Sequence, residues 1–320
     1  MTSSAPRLFR GIRMKKFSKI DIKAKITNSI VERLEQGGIP PWRCPWTKTD
    51  VSPIPVNFLN KKPYSGLNIL LLWMAATDGD YSDNSWLTFK QAKELGGNIR
   101  KGEKGVSCIF YKHVQVGEKS TNDEDAESYH MLKSFTLFNI AQVEGLEVSE
   151  VITESLEISE EQEDQACNDF ISRAIQYCDE QGIVIKEGGN QAYYSPTLDL
   201  VKMPTTFENV VAYASTLAHE LSHSTGHKKR LDRFDEFKNE FNKKIESYGF
   251  EELVAEISSV FMCSSFGIEL DFNQHISYLD SWLKNMKADK SFIFKASSHA
   301  FKAYSYFMDD GSETVLTKAA

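Results

Sequence analysis

Residues 217–227 read LAHELSHSTGH, with three histidines and a glutamate inside eleven positions. The surrounding run, AYASTLAHELSHSTG, is apolar at helical spacing. It predicts a helix over Val210–Ser224 that is closed by Gly226. On such a helix His219 and His223, four positions apart, face the same way. Two imidazoles one turn apart can hold one Zn²⁺, and Glu220, beside the first, is placed to act as general base toward a bound water. Zinc lowers the pKa of that water to ~7, which makes proton removal feasible at neutral pH. The motif follows an expected strand, LDLVKMP (Leu198–Pro204), as a working HExxH site requires.

The third ligand decides the kind of site. His227 comes too soon after His219 for the metzincin arrangement HExxHxxGxxH. The expected next helix, Gly249–Gly267, offers Glu252 and Glu256, four apart and set among core-type residues. We read Glu252 as the third ligand of a His₂Glu set. Glu256 is read as the carboxylate that fixes a ligand histidine, with Glu251 pointing away. His227 is assigned to the rim. Upstream, NQAYYSPTLDLVKMP fits a sheet edge to which an extended peptide can add as a strand, with Tyr193 and Tyr194 near a scissile carbonyl.

Composition separates the rest of the chain. Of 320 residues, 41% are hydrophobic and 26% charged, ordinary for a chain with real cores. Residues 1–115 carry 19 Lys+Arg against 9 Asp+Glu, residues 116–165 carry 2 against 14, and residues 166–320 carry 16 against 22. A basic unit, an acidic connector and a mildly acidic unit follow. The expected division is 1–16 as a basic extension (or an upstream start ahead of Met14), 17–146 as the basic unit, 147–165 as an acidic linker and 166–320 as the HExxH unit. The five scattered cysteines form no CxxC pair and read as buried thiols in a reducing compartment. With neither a signal peptide nor a run long enough to span a bilayer, the chain is expected in the bacterial cytoplasm.

The basic unit reads as mixed helix and strand: helices over Asp21–Gly37, Ser65–Gly79 and Trp86–Gly97, then strands over Val106–Val116 and Lys133–Asn139. Lysines and arginines interleaved with exposed aromatics are the footprint of a single-strand binder, because charges follow the backbone while rings stack on bases. The candidates are Trp42, Trp46, Lys61, Lys62, Tyr64, Trp86, Lys90, Lys93, Arg100, Lys101, Lys104 and Lys112, with Trp42 the first choice as platform.

Several blocks together are recognisable. VERLEQGGIPPWRCPW, KKPYSGLNILLLWMA, WLTFKQAKELGGNIRKGEKG and FTLFNIAQVEGL, then GGNQAYYSPTLDLVKMP, YASTLAHELSHSTGHKKRLDR, EELVAEISSVF and YLDSWLKNMKADK, resemble the ArdC-type anti-restriction proteins of plasmids and mobile elements. They are also similar to the accessory region of TraC-type plasmid primases. The resemblance implies an α+β chain of two domains, one binding single-stranded DNA and one a zincin-like metallopeptidase with zinc or another divalent metal. It implies protection of incoming DNA from restriction, with a DNA-bound or restriction-related protein as substrate. His219, Glu220 and His223 match the family's metal motif, and Glu252 matches its acidic helix. Ser224 stands where the family commonly has an aromatic, a departure expected at the rim of the site. The alternatives are a non-catalytic DNA-binding protector with a structural metal, and an acidic segment that mimics DNA.

Overall fold

The computed structural model describes residues 21–37, 40–42, 54–115, 128–146, 159–240, 244–268 and 278–309. The expected basic extension, most of the acidic linker and Trp46 lie outside them. Helix α1 (Ile22–Glu35) starts at Asp21, whose side chain accepts from the Ala24 backbone N–H at 3.0 Å. It buries Ile26, Ile30, Val31 and Leu34 along one stripe. Helix α2 (Leu67–Gly79) is buried on nearly all sides, as its LNILLLWMAA run dictates.

The expected third helix is shorter than its sequence suggests. Trp86 and Leu87 belong to a strand, β2 (Ser85–Leu87), and helix α3 (Phe89–Glu94) begins only after it. Thr88 sets that boundary: its hydroxyl accepts from the Gln91 N–H, and the Gln91 side chain accepts from the Thr88 N–H. Strand β1 (Val56–Asn57) runs parallel to β2. The long strands β4 (Val106–Gln115) and β5 (Ser128–Asn139) complete a sheet of order β1-β2-β5-β4. Gly105, entering β4, is required by close approach, since a Cβ there would lie 2.4 Å from the Thr136 methyl and 2.8 Å from the Leu137 carbonyl. Two short strands, β3 (Asn98–Ile99) and β6 (Val143–Glu144), pair separately. The acidic stretch 116–165 is therefore no simple connector, since it contains β5, β6 and a helix start.

That helix is α4 (Glu160–Gln181), capped by Ser159 with Gln162 and stopped by Gly182 at φ 68°. Strands β7 (Val184–Glu187), β8 (Tyr193–Ser195) and β9 (Leu200–Met203) form a sheet of order β7-β9-β8, with β8 antiparallel at one edge. Helix α5 (Val210–Thr225) carries the HExxH motif, and Asn209 caps it by accepting from the Ala212 N–H at 2.8 Å. Both β8 and β9 pack on α5. Helices α6 (Arg233–Glu240), α7 (Lys244–Ser265), α8 (Leu279–Ala288) and α9 (Phe292–Met308) follow. Helix α7 begins at Lys244 rather than at Gly249, which places Tyr248 one turn ahead of Glu252 on the same helix.

The two halves share a core. Ile30, Leu70 and Trp73 from α1 and α2 pack in one cluster with Phe250, Val254, Phe261, Trp282 and Ile293 from α7, α8 and α9. Each such side chain, fully buried, contributes about 1.5–3 kcal/mol, so the junction is firm. A second cluster, around Phe170, Tyr177, Val201, Leu217, Leu221, Met262 and Phe307, seats α5 between the sheet and α7.

Candidate metal centre

Helices α5 and α7 face each other and bring three donors together. His219 Nε2 and His223 Nε2 lie 3.2 Å apart, Glu252 Oε2 is 3.5 Å from His219 Nε2, and Glu252 Oε1 is 3.6 Å from His223 Nε2. A tetrahedral ion bound at about 2.0–2.1 Å spaces its ligand atoms by roughly 3.4 Å, so this donor set fits a metal without rearrangement. Among the described residues, His219, His223 and Glu252 are the group of this kind. Glu220 is buried on α5 beside His219, and its charge favours the protonated form of His223.

The carboxylates behind the donors divide differently from expectation. Glu256 Oε2 lies 3.9 Å from His219 Nδ1, on the side anticipated for it. Glu251, expected to point away, instead sits 3.1 Å from His223 Nδ1. It is clamped by Arg233, whose Nε and Nη2 donate to its two oxygens at 2.8 and 2.7 Å. Arg233 also donates to Thr225 Oγ1 and to the Ser222 carbonyl, each at 2.8 Å, and is 1% exposed. The reason is geometric. The chain turns at Gly226 and returns as α6, so Arg233 comes back under the end of α5; a Cβ at Gly226 would lie 3.1 Å from its guanidinium carbon. Burial disfavours the Glu251 charge, but Arg233 and then His223 outweigh it and hold the carboxyl below its ordinary range. The anionic Glu251 fixes the proton of His223 on Nδ1 and leaves Nε2 as the donor atom.

Glu252 is buried too, yet His219, His223 and Tyr248 pull its carboxyl down to about 2. His223 is pushed up to about 9: burial opposes this, and Glu251 and Glu252 overcome it. The whole cluster is arranged to carry positive charge beside fixed carboxylates.

His227 and Tyr194 take another role. Tyr194 donates its hydroxyl proton to Asp199 Oδ1 at 2.7 Å, and Arg230 Nη2 contacts the same oxygen at 2.5 Å. His227 Nδ1 is 3.8 Å from Asp199 Oδ2. This network ties the β8–β9 turn to the end of α5 and engages the Tyr194 hydroxyl. Tyr193 is half exposed on the edge strand. Ser224 is not at the rim: it is fully buried, donates to the Leu221 carbonyl at 2.6 Å, and its hydroxyl lies 3.4 Å from that of Tyr177 on α4.

In the basic half, two expected platforms are core residues. Trp42 is 0% exposed and packs edge-on against Trp282 of α8, with ring centroids 5.8 Å apart. Trp86 is also 0% exposed, in β2 under Tyr81. Neither can stack on a base. Arg100 is committed to Glu103 at 2.7 Å and to the Ala141 carbonyl at 2.5 Å. Tyr64 is half-buried, its hydroxyl accepting from Asn57 Nδ2 at 3.2 Å. Lys61, Lys62, Lys90, Lys93, Lys101 and Lys104 are exposed. Lys61 lies over the Phe58 ring at 4.5 Å and Lys90 lies 3.4 Å from Glu94, while Lys93 reaches Asn98. Lys112 lies in β4, its side chain outside the described residues. Among the described residues of this half, Phe89, Phe110 and Tyr111 are exposed aromatics, and none of them is among the sequence candidates.

Comparison with known proteins agrees with this arrangement. Residues 20–138 match the N-terminal domain of the anti-restriction factor ArdC, and residues 172–299 match a zincin-like metallopeptidase family. The uncharacterized protein y4eC of Sinorhizobium fredii is 35% identical over 88% of this chain and 89% of its own length. The DNA primase TraC of Escherichia coli is 30% identical over 88% of this chain, which spans only 19% of that longer protein. The antirestriction ArdC protein from plasmid R388 is 34% identical. Its metal-free crystal structure superposes with a TM-score of 0.74 over 92% of this chain and 99% of its own. Its Mn(II)-bound structure gives 0.70 over 92% and 100%. With both halves matched in order and nearly the full length shared at this identity, the chain belongs to the ArdC-type anti-restriction family.

Proposed function

We propose that this chain is a metal-dependent peptidase that binds single-stranded DNA and protects mobile-element DNA by cleaving a protein held on or near it. The observation that carries the peptidase half is the spacing of His219, His223 and Glu252, at 3.2–3.6 Å, with Glu220 beside them. A structural metal needs no general base, so the presence of Glu220 in HExxH position favours chemistry. When bound, a divalent ion supplies Lewis-acid polarisation and a lowered water pKa. Zinc suits two imidazoles and a carboxylate, and manganese is the ion of the R388 relative's structure. Glu220 takes the proton from the attacking water and returns it to the leaving amine. Glu251 and Arg233 hold His223 in its donor tautomer. Strand β8 offers an edge on which an extended peptide can lie beside α5.

For the DNA half, Lys61, Lys62, Lys90, Lys101 and Lys104 supply phosphate contacts, and Phe89, Phe110 and Tyr111 supply stacking faces in place of the buried tryptophans. No helix among the described residues is long and apolar enough to cross a membrane.

The test is metal analysis with a cleavage assay, run with and without single-stranded DNA, on the wild type and on Glu220→Gln. The expected result is a bound divalent ion in both proteins and cleavage by the wild type alone, with the variant down about 10²–10⁴-fold. A wild type that binds no metal and cleaves no protein, itself included, sinks the peptidase reading. The rival reading, an acidic DNA mimic, is tested by neutralising Glu118, Asp123, Glu124, Asp125 and Glu127. Deletion of 118–164 is unsuitable, because it removes β5. Protection lost on neutralisation but kept in Glu220→Gln favours the mimic.

A further inference from the structure

The residues around the three donors fall into two groups. Glu251, Arg233 and Glu256 stand behind the donors and are 6%, 1% and 2% exposed. They orient, and no substrate reaches them. Tyr248 is different. It lies one turn before Glu252 on α7, its hydroxyl donates to the Glu252 carboxylate, and the residue is 56% exposed. Its ring leans on Tyr278 with centroids 6.2 Å apart, and the two hydroxyls are hydrogen-bonded. The side chain thus has one end in solvent and a donor O–H one hydrogen-bond length from a ligand atom. A substrate reaches the donors from solvent, and Tyr248 links the two.

We propose that Tyr248 is a catalytic residue that donates its hydroxyl hydrogen bond to the oxygen of the scissile carbonyl as negative charge develops there. The inference rests on the peptidase reading above and adds the electrophilic partner to Glu220. In the structure the hydroxyl is held by Glu252. Were Glu252 to hold an ion, its demand for the Tyr248 proton would fall and the hydroxyl would be available to substrate. Water attacks the carbonyl carbon and Glu220 takes the water proton. The carbonyl oxygen gains the electron pair under the Tyr248 hydrogen bond. As the C–N bond breaks the pair returns to the carbonyl, and the amine leaves with the proton from Glu220. Tyr248 keeps its own proton throughout. Tyr278 holds the ring so that little freedom is lost on forming the bond.

The experiment compares wild type, Glu220→Gln and Tyr248→Phe, each loaded with Co²⁺ and assayed on fluorescein-labelled casein with single-stranded DNA present. The cobalt dissociation constant and visible spectrum are read beside kcat and KM. The expected outcome for Tyr248→Phe is an unchanged spectrum, cobalt affinity within about threefold, an unchanged KM and a kcat lowered about 10²–10³-fold, the cost of one oxyanion donor. Binding of an N-phosphoryl dipeptide, which mimics the tetrahedral oxygens, is expected to weaken by a similar factor. A Tyr248→Phe protein that cleaves at the wild-type rate overturns the proposal. So does one that loses cobalt in proportion to its activity, since Tyr248 would then only support Glu252. If the wild type itself cleaves nothing and matches both variants, the peptidase reading fails and takes this one with it, an outcome distinct from the other two.

Discussion

Polar groups are held in opposite ways in the two halves of this molecule. Around α5 and α7 the charges are buried and interlocked: Arg233 to Glu251, Glu251 to His223, Glu252 across both histidines. In the basic half the lysines that could meet phosphate stand in water, as with Lys90 at 3.4 Å from Glu94 and Lys61 over the Phe58 ring. A buried network has defined geometry because every lost hydrogen bond leaves a desolvated partner, and it is correspondingly sensitive to change. An exposed set tolerates single changes, and its strength lies in number. The first suits chemistry on fixed atoms; the second suits a flexible polyanion of no fixed sequence.

The contrast can be broken or sharpened by experiment. The largest effect is expected from Trp42→Ala, which cuts into the core that both halves share. It should cost about 3–5 kcal/mol of stability by thermal or denaturant unfolding, with DNA affinity per folded molecule unchanged. Weaker DNA binding without destabilisation would return Trp42 to the role of platform. Next is Glu251→Gln, which keeps the shape but removes the charge between Arg233 and His223. Metal affinity measured by chelator competition should fall about 10–100-fold. Unchanged affinity would show that His223 is oriented by other groups. The smallest effect on the fold is expected from Lys101→Glu with Lys104→Glu. Stability should move by less than about 0.5 kcal/mol. Single-strand affinity should weaken, with the slope of log K against log salt shallower by roughly 1–2. An unchanged slope would remove the turn before β4 from the DNA surface.

How far these features could be read in advance followed from the range of the interactions. That His219 and His223 come together is legible because two residues four apart on a helix must share a face. Glu252 is legible by the same rule, applied to a second helix rich in core residues. Glu251 is not, because its role depends on Arg233, which reaches it only through the turn at Gly226 and the path of α6. Tyr248 is hidden by a helix start misplaced at Gly249; in the structure α7 runs through that glycine, whose carbonyl accepts from Trp282 Nε1 at 2.8 Å. Trp42 and Trp86 look like stacking residues in composition, and only the arrival of α8 and Tyr81 makes them core. Helix α5 ends at Gly226 as its sequence predicts, and Thr88 divides α3 from its strand by a local hydrogen bond that the run of residues does not advertise.

The cluster that joins α1 and α2 to α7, α8 and α9 has a thermodynamic consequence. Helix α7 carries Glu252 toward the metal on one face and Phe250, Val254 and Phe261 toward the basic half on another. Any ligand that binds only the folded chain therefore stabilises both halves by the same mass-action term, RT ln(1 + [L]/Kd). On the proposed reading, DNA held in the first half would raise the resistance of α7 to unfolding, and an ion in the second half would steady the scaffold on which the lysines stand. The two halves share one spine, so a ligand on either one steadies the other.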